Sequence, residues 1–321
     1  MGYKNEIYAK AMKIKNDAVK MAAAEYEKKL QKLRDERPEF KEAELACAKI
    51  GPMVALAALS GEADRFEELK ALSEQTTAAY KEMLSEAKIT PPECFCPVCE
   101  DSGYSNGGWC ECVKEIAKSI ISEELSHSMP INNCRFDNFD LNYYPDKDDD
   151  KGLNPRKRAV GALELSKKFA NDFPNVQKSL LFMGETGLGK THLSLSIVNA
   201  VIEKGYSVVY GPAGKLFSAV EKEHFSYNGD TEKLDALLEC DLLVIDDLGT
   251  EFLSPFTSSL FYNIINSRIL ENRPCVISTN LSIDDIEKRY TNRIASRFIG
   301  NYEPRKLIGS DIRQQKAFEN M

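Results

Sequence analysis

Residues 184–191 read Gly-Glu-Thr-Gly-Leu-Gly-Lys-Thr, the spacing G-x-x-x-x-G-K-T. These residue types in this order can hold phosphate. The glycines let the backbone curl until successive N–H groups face one anion, and a helix starting there adds its unpaired donors. Lys190 would place a cation on the β- and γ-phosphates, and Thr191 a hydroxyl on Mg²⁺. Gly184, Glu185, Thr186, Gly187, Leu188, Gly189 and His192 complete the candidate stretch, with ATP and Mg²⁺ as its ligands. The surroundings agree. Apolar Leu180–Met183 precede the loop and an apolar-periodic segment, Leu193–Val201, follows it, so the order is strand, loop, helix.

A second apolar run, Leu242-Leu243-Val244-Ile245, ends in Asp246-Asp247. Asp246 is placed to hold Mg²⁺ through its water shell, and Asp247 to orient the attacking water. A third, Cys275-Val276-Ile277-Ser278-Thr279, ends at Asn280, which can hydrogen-bond the γ-phosphate or that water. Arg289, Arg293, Arg297, Arg305 and Arg313 come after the strands, and a guanidinium presented to a γ-phosphate raises phosphoryl transfer by orders of magnitude. A Gly-rich turn without nucleotide, or a buried strand ending in acids by chance, explains each piece alone but not their order. Phe136 and Phe139, ahead of the loop, are either core residues or flank an adenine.

Residues 94–112, CFCPVCEDSGYSNGGWCEC, carry different chemistry. Cys96-x-x-Cys99 and Cys110-x-Cys112 are two close pairs around an expected Gly107-Gly108 turn. Four thiolates converging at ~2.3 Å make a tetrahedral Zn²⁺ site, and no base or open position suggests catalysis, so the metal would be structural. Cys94 is surplus and could replace Cys112 if the second pair is too tight. A redox-active C-x-x-C needs a βαβ setting that is missing here.

These elements must be positioned by the rest of the chain. Its 321 residues, 43% hydrophobic and 29% charged, imply two domains and a small third module. The net charge of −8 gives no global basic footprint, so any nucleic-acid contact should be local. The N-terminus lacks a secretory h-region, and no apolar run is expected to approach the ~20 residues that span a bilayer, so the expected location is cytoplasmic. Nine cysteines in such a compartment suit metal or free thiols. Residues 3–37 contain no Gly or Pro and read as helix. Pro38 opens a second helix that Gly51-Pro52 should interrupt, and a third is expected from Glu62 to Lys88. The expected division is a helical partner-binding domain at 1–90, a zinc module at 91–125, a linker at 126–155 and an α/β domain at 156–321. The strand at 205–210 after the P-loop helix makes a βαβ unit, hence a parallel sheet with the site at its carboxyl edge.

The series GETGLGKT, LLVIDDLG, VISTN, RYTNRIASRF and SDIR resembles the AAA+ ATPases, and more narrowly the DnaC/DnaI-like bacterial replicative-helicase loaders, over roughly residues 130–321. CPVCEDSGY…CEC resembles the zinc module that many of them carry. The resemblance implies an α/β P-loop AAA+ parallel sheet flanked by helices, without a C-terminal lid, preceded by the zinc module and an N-terminal helical domain. It implies that Lys190 and Thr191 are Walker A and that Asp246 and Asp247 are Walker B, with Asp where Glu is usual. Asn280 would be sensor 1, Arg297 the finger that reaches a neighbour's ATP, and Arg313 sensor 2. Ser254 and Phe256 fall at the position that touches single-stranded DNA. The implied partners are a hexameric replicative DNA helicase, single-stranded DNA and further copies of the chain through the ATPase domains, with no membrane. The implied activity is ATP-dependent helicase loading. IstB-type transposition helper ATPases share the core and are the near rival, as are phage or prophage loaders. A P-loop kinase would respond to a small acceptor rather than to DNA or a helicase, and a pure adaptor would not need an intact Lys190, Thr191 and Asp246.

Overall fold

The structure, a computed structural model, describes residues 3–126, 134–226 and 231–319. The chain forms two compact units, Ala9–Ile116 and the remainder, with the division falling inside two helices.

The first unit contains most of α1 (Tyr3–Glu36), then α2 (Pro38–Ser60) and α3 (Ala63–Glu86). Proline disfavours helix in the residue before it, and Arg37 is extended at φ −131°, so α1 stops and α2 begins. Gly61, at φ +74°, closes α2 in the left-handed conformation open to glycine. The expected break at Gly51-Pro52 does not occur; α2 runs through Pro52. The ring removes one backbone donor, but the Ala, Leu and Met residues around it keep the helix favourable. α2 is also long and apolar enough, by length and composition alone, to cross a membrane, contrary to the sequence expectation; little of that stretch is buried. Phe40 stacks on Tyr80 at 5.2 Å, joining α2 to α3, and Arg34 makes two 2.7 Å hydrogen bonds to Glu44, joining α1 to α2. β1 (Tyr104–Ser105) and β2 (Gly108–Trp109) then form a small hairpin. Its turn is Asn106-Gly107, at φ +51° and +79°, one residue before the expected pair. Two consecutive left-handed positions favour Asn followed by Gly. α4 (Glu111–Ser126) follows.

The second unit is the α/β fold expected from the sequence. In order it contains α5 (Pro155–Asp172), β3 (Ser179–Met183), α6 (Lys190–Glu203), β4 (Val208–Pro212), α7 (Ala213–His224), α8 (Glu232–Glu239) and β5 (Leu242–Leu248). α9 (Pro255–Leu270), β6 (Cys275–Thr279), α10 (Ile283–Arg289), α11 (Asn292–Asn301), β7 (Tyr302–Lys306) and α12 (Ile312–Glu319) complete it. The five strands are parallel, in the order β4-β5-β6-β3-β7. Helices cover both faces, which is why the strands read as nearly continuous apolar runs. Alternate residues serve opposite faces: Leu181, Leu243, Ile245 and Ile277 join one buried cluster, and Leu180, Phe182, Val244 and Val276 the other. The β3-α6-β4 crossover is parallel as expected, but it passes over two strands. β6 and β5 lie between, so the strand ending at Asn280 separates the P-loop strand from the one ending in Asp246-Asp247.

Candidate nucleotide site and cysteine cluster

The loop between β3 and α6 turns through Gly184, Gly187 and Gly189 at φ +137°, +77° and +82°. At Gly189 a side chain would be strained twice over: the backbone is left-handed, and a Cβ would stand 2.8 Å from both the Phe139 ring and the Tyr144 hydroxyl. Beside the loop lies a cavity of about 420 Å³, within the ~300–1,000 Å³ range of ligand sites. Thr186 to His192, Asp247, Asn280 and Arg313 line it, so most of the expected nucleotide residues share one space. Gly184 and Glu185 do not line it, but their carbonyls accept the Lys190 ammonium at 2.9 and 2.7 Å. The same ammonium donates to Asn280 Oδ1 at 2.7 Å, and Asn280 Nδ2 donates to Thr186 Oγ1 at 3.3 Å. Among the described residues Lys190 has only neutral oxygens as hydrogen-bond partners, and burial lowers its pKa below the ordinary lysine value. A buried cation so held fits an incoming phosphate.

The two acids are separated by local backbone geometry. In a regular strand adjacent side chains point to opposite faces. Here the β5–β6 register slips between Ile245, opposite Ile277, and Leu248, opposite Thr279, and Asp247 sits at φ +50°. That bulge lets both acids serve the loop side. Asp246 is buried and accepts from Thr191 Oγ1 at 3.0 Å, from the Tyr210 hydroxyl at 2.9 Å and from the Ser278 hydroxyl. Thr191 and Asp246 are thus a ready pair for Mg²⁺. Asp247 faces the cavity, and its carboxyl is pushed above the usual range by burial and then by Asp246, with Lys190 and Arg313 opposing. Sequence reasoning missed Tyr210 and Ser278. Ser278 did carry a signal, a polar residue inside an apolar strand. Phe139 belongs both to the core and to the cavity wall, where Tyr143, Tyr144 and Lys316 join it. The Tyr144 hydroxyl donates to Leu188 O at 2.9 Å, and His192 Nε2 lies 2.9 Å from Arg135 O.

Arg313, on α12, reaches the cavity of its own chain. Arg297, on α11, is half-buried and does not line it. Ser254 spends its hydroxyl on capping α9, accepting from Thr257 N at 3.0 Å. Phe256 is half-buried and packs on His224 and Phe225 at 4.9 and 5.4 Å.

In the other unit Cys96, Cys99, Cys110 and Cys112 converge, all four sulfurs within 4.8 Å of one another. The Cys96–Cys110 and Cys99–Cys112 separations are 3.8 and 3.6 Å. Tetrahedral thiolates ~2.3 Å from Zn²⁺ stand about 3.8 Å apart, so the donor set fits zinc. Cys94 lies outside the group and donates to Cys96 O at 3.2 Å, which leaves Cys112 as the fourth convergent sulfur. Unexpected from sequence, Lys15 of α1 is buried against the cluster: its ammonium is 3.1 Å from Cys112 Sγ, 3.4 Å from Cys99 Sγ and 3.1 Å from Asp101.

A parallel sheet with the Asn280 strand set between the P-loop and the paired acids is the arrangement that the resemblance to the AAA+ ATPases implies. Residues 153–296 match the family model described as IstB-like ATP binding protein. The replicative helicase loader DnaC of Escherichia coli (strain K12) is 30% identical over 145 residues, 44% of this chain and 59% of that protein. The uncharacterized protein YqaM of Bacillus subtilis (strain 168) is 28% identical over 193 residues, 55% of each chain. A solved structure described as the DnaC helicase loader overlaps at a TM-score of 0.45 with 27% identity, covering 54% of this chain and 98% of that one. The P-loop region of this chain is therefore similar to IstB-like ATP binding proteins and to the loader DnaC. The chain spans less than two thirds of the length of the curated loader that it matches.

Proposed function

We propose that the chain is an ATP-dependent loader of a hexameric replicative DNA helicase, hydrolysing ATP in an assembly of its own copies. The observation that carries this reading is the division of the arginines: Arg313 lines its own nucleotide cavity and Arg297 does not. Lys190 and the loop N–H groups bind the phosphates, and Thr191 with Asp246 holds Mg²⁺. That ion, when bound, neutralises charge on the β- and γ-phosphates. Asp247 and Asn280 orient the attacking water, Arg313 senses the γ-phosphate in cis, and Arg297 completes the site of a neighbour. Residues 1–90 bind the helicase, 91–125 hold a structural Zn²⁺, 126–155 link them to the ATPase at 156–321, and Ser254 and Phe256 meet single-stranded DNA. The place of action is the cytoplasm. IstB-type transposition helpers share the core, and the cysteine cluster ahead of it favours the loader.

Mixing two variants tests the assembly. Lys190→Ala supplies a finger without a nucleotide site, and Arg297→Ala a site without a finger. Each alone should be inactive; mixed on the replicative helicase of the same genome, they should recover ATP hydrolysis, by on the order of a thousandfold if the finger has its usual worth. No recovery above the separate samples removes Arg297 from trans catalysis, and no binding to the helicase removes the loader.

A further inference from the structure

We propose that Glu251 is a positioning residue: it ties the loop after Asp247 to the corner that carries Arg297, so that the state of one nucleotide site sets the finger offered to the next. This rests on the trans-acting reading of Arg297.

Glu251 is buried, with 2% of its side chain exposed, and does not line the nucleotide cavity. Its carboxylate accepts from Gly249 N at 2.9 Å and from the Tyr290 hydroxyl, and lies 3.6 Å from Arg289 Nη2. The same Nη2 donates to Glu251 O at 2.7 Å. On one side, therefore, Glu251 grips the backbone two residues after Asp247. Thr250, between them, donates through its hydroxyl to Asp247 O at 2.8 Å. On the other side, Arg289 ends α10 and Tyr290 caps it, and Thr291 then caps α11 by accepting from Ile294 N. Arg297 is about one and a half turns further along α11. Packing stiffens this path: Tyr290 meets Phe261 at 5.1 Å, Phe261 meets Phe298 at 6.2 Å, and Phe298 adjoins Arg297.

An apolar contact would anchor this corner as well, because a buried charge costs desolvation that its partners must offset. What the carboxylate adds is direction, with two donors drawn from two segments and fixed in angle and the Arg289 charge beside them. Arg289 Nε is buried with no hydrogen-bond partner among the described residues. The guanidinium is thus not fully used in this arrangement, as a corner with a second arrangement would require. A shift of Asp247 toward a bound γ-phosphate would pull Gly249 and Glu251, and with them Arg289, Tyr290 and the start of α11.

Glu251→Gln retains an oxygen for Gly249 N–H but loses the charge that draws Arg289. Placed in a finger-donating Asp247→Asn chain, which should bind ATP without turning it over, and mixed with Arg297→Ala chains, it should lower the recovered hydrolysis at least tenfold. Placed in the Arg297→Ala chain, whose own finger is absent, it should change hydrolysis less than threefold. Equal losses in both placements, or no loss in the donor, overturn the proposal. No recovery in the unsubstituted mixture would instead fail the trans reading. A second measurement then decides on single full-length chains: hydrogen exchange over residues 292–301 with and without Mg²⁺ and a non-hydrolysable ATP analogue. The wild type should show a nucleotide-dependent change and Glu251→Gln should lose it while binding the analogue equally. The same response in both chains, or none in the wild type, overturns the coupling.

Discussion

In the P-loop unit Leu180, Leu181, Phe182, Val244, Ile245 and Ile277 are all at or below 1% exposure, between helices on both faces of the sheet. In Ala9–Ile116 one apolar cluster, among the described residues, is Leu30, Leu33, Phe40 and Leu84, while Leu56 and Leu59 on α2 stand 70% and 87% exposed. One unit has a core that can hold a strained loop in place. The other has a thin seam between long helices and a knot of four sulfurs. A bulge at Asp246-Asp247 and a left-handed Asp247 cost free energy, and they persist only where surrounding packing over-determines them. A hairpin of two-residue strands beside four convergent sulfurs is the kind of element that a bound metal would hold instead.

Removing zinc should expose this contrast most strongly. Purified protein should carry about one zinc per chain, lost in Cys96→Ser or Cys99→Ser. Chelation should abolish hydrogen-exchange protection over residues 94–116 and leave ATP binding by the P-loop unit intact. Elemental analysis that finds no zinc in a reduced preparation would sink the metal reading, and zinc retained in Cys112→Ser would return Cys94 to the ligand set.

Lys15 sharpens the same point with a smaller effect. Its ammonium faces two of the sulfurs, and a tetrathiolate zinc site carries net negative charge. Lys15→Met should weaken zinc retention by about 10- to 100-fold, the usual cost of losing a partner outside the ligand shell. Competition with a chromogenic chelator reads this directly, and unchanged affinity would make the contact mere packing. The smallest effect is expected at Pro52. Pro52→Ala returns one donor to α2 and should stabilise Ala9–Ile116 by about 2 kcal/mol, the ~3 lost at an interior proline less the ~1 that proline contributes by restricting the unfolded chain. Chemical unfolding followed in that unit would show it; a transition of the P-loop unit that moved as well would mean that the two do not melt separately.

The P-loop unit was largely legible in the sequence because phosphate binding constrains a contiguous segment. Spacing alone gave strand, loop and helix around Lys190, and the strand-end acids followed. What was hidden depends on strand order. Nothing local says that β6 lies between β3 and β5, so Ser278 and Tyr210 could not be placed on Asp246, nor Asn280 on Lys190. The bulge that turns Asp246 and Asp247 toward one side was equally invisible, since Asp-Asp reads as a plain strand end. In the other unit the cysteine pairs were legible, but their choice of Cys112 over Cys94 needed three dimensions, as did the contact with Lys15, some 80 residues or more away in the chain. Gly51-Pro52 misled because propensity rules weigh a proline against an isolated helix, whereas here the chain on both sides continues it.

We propose that the cavity beside Lys190 hydrolyses ATP with Asp247 as the carboxylate that orients water. The most direct test is single-turnover hydrolysis of bound ATP by wild type and Asp247→Asn on a helicase scaffold, with binding measured in the same samples. Asp247→Asn should bind ATP within about threefold of wild type but turn it over roughly a hundredfold more slowly or worse, the pattern of an interaction made in the transition state. Equal turnover in the two proteins would contradict it and remove Asp247 from the chemistry.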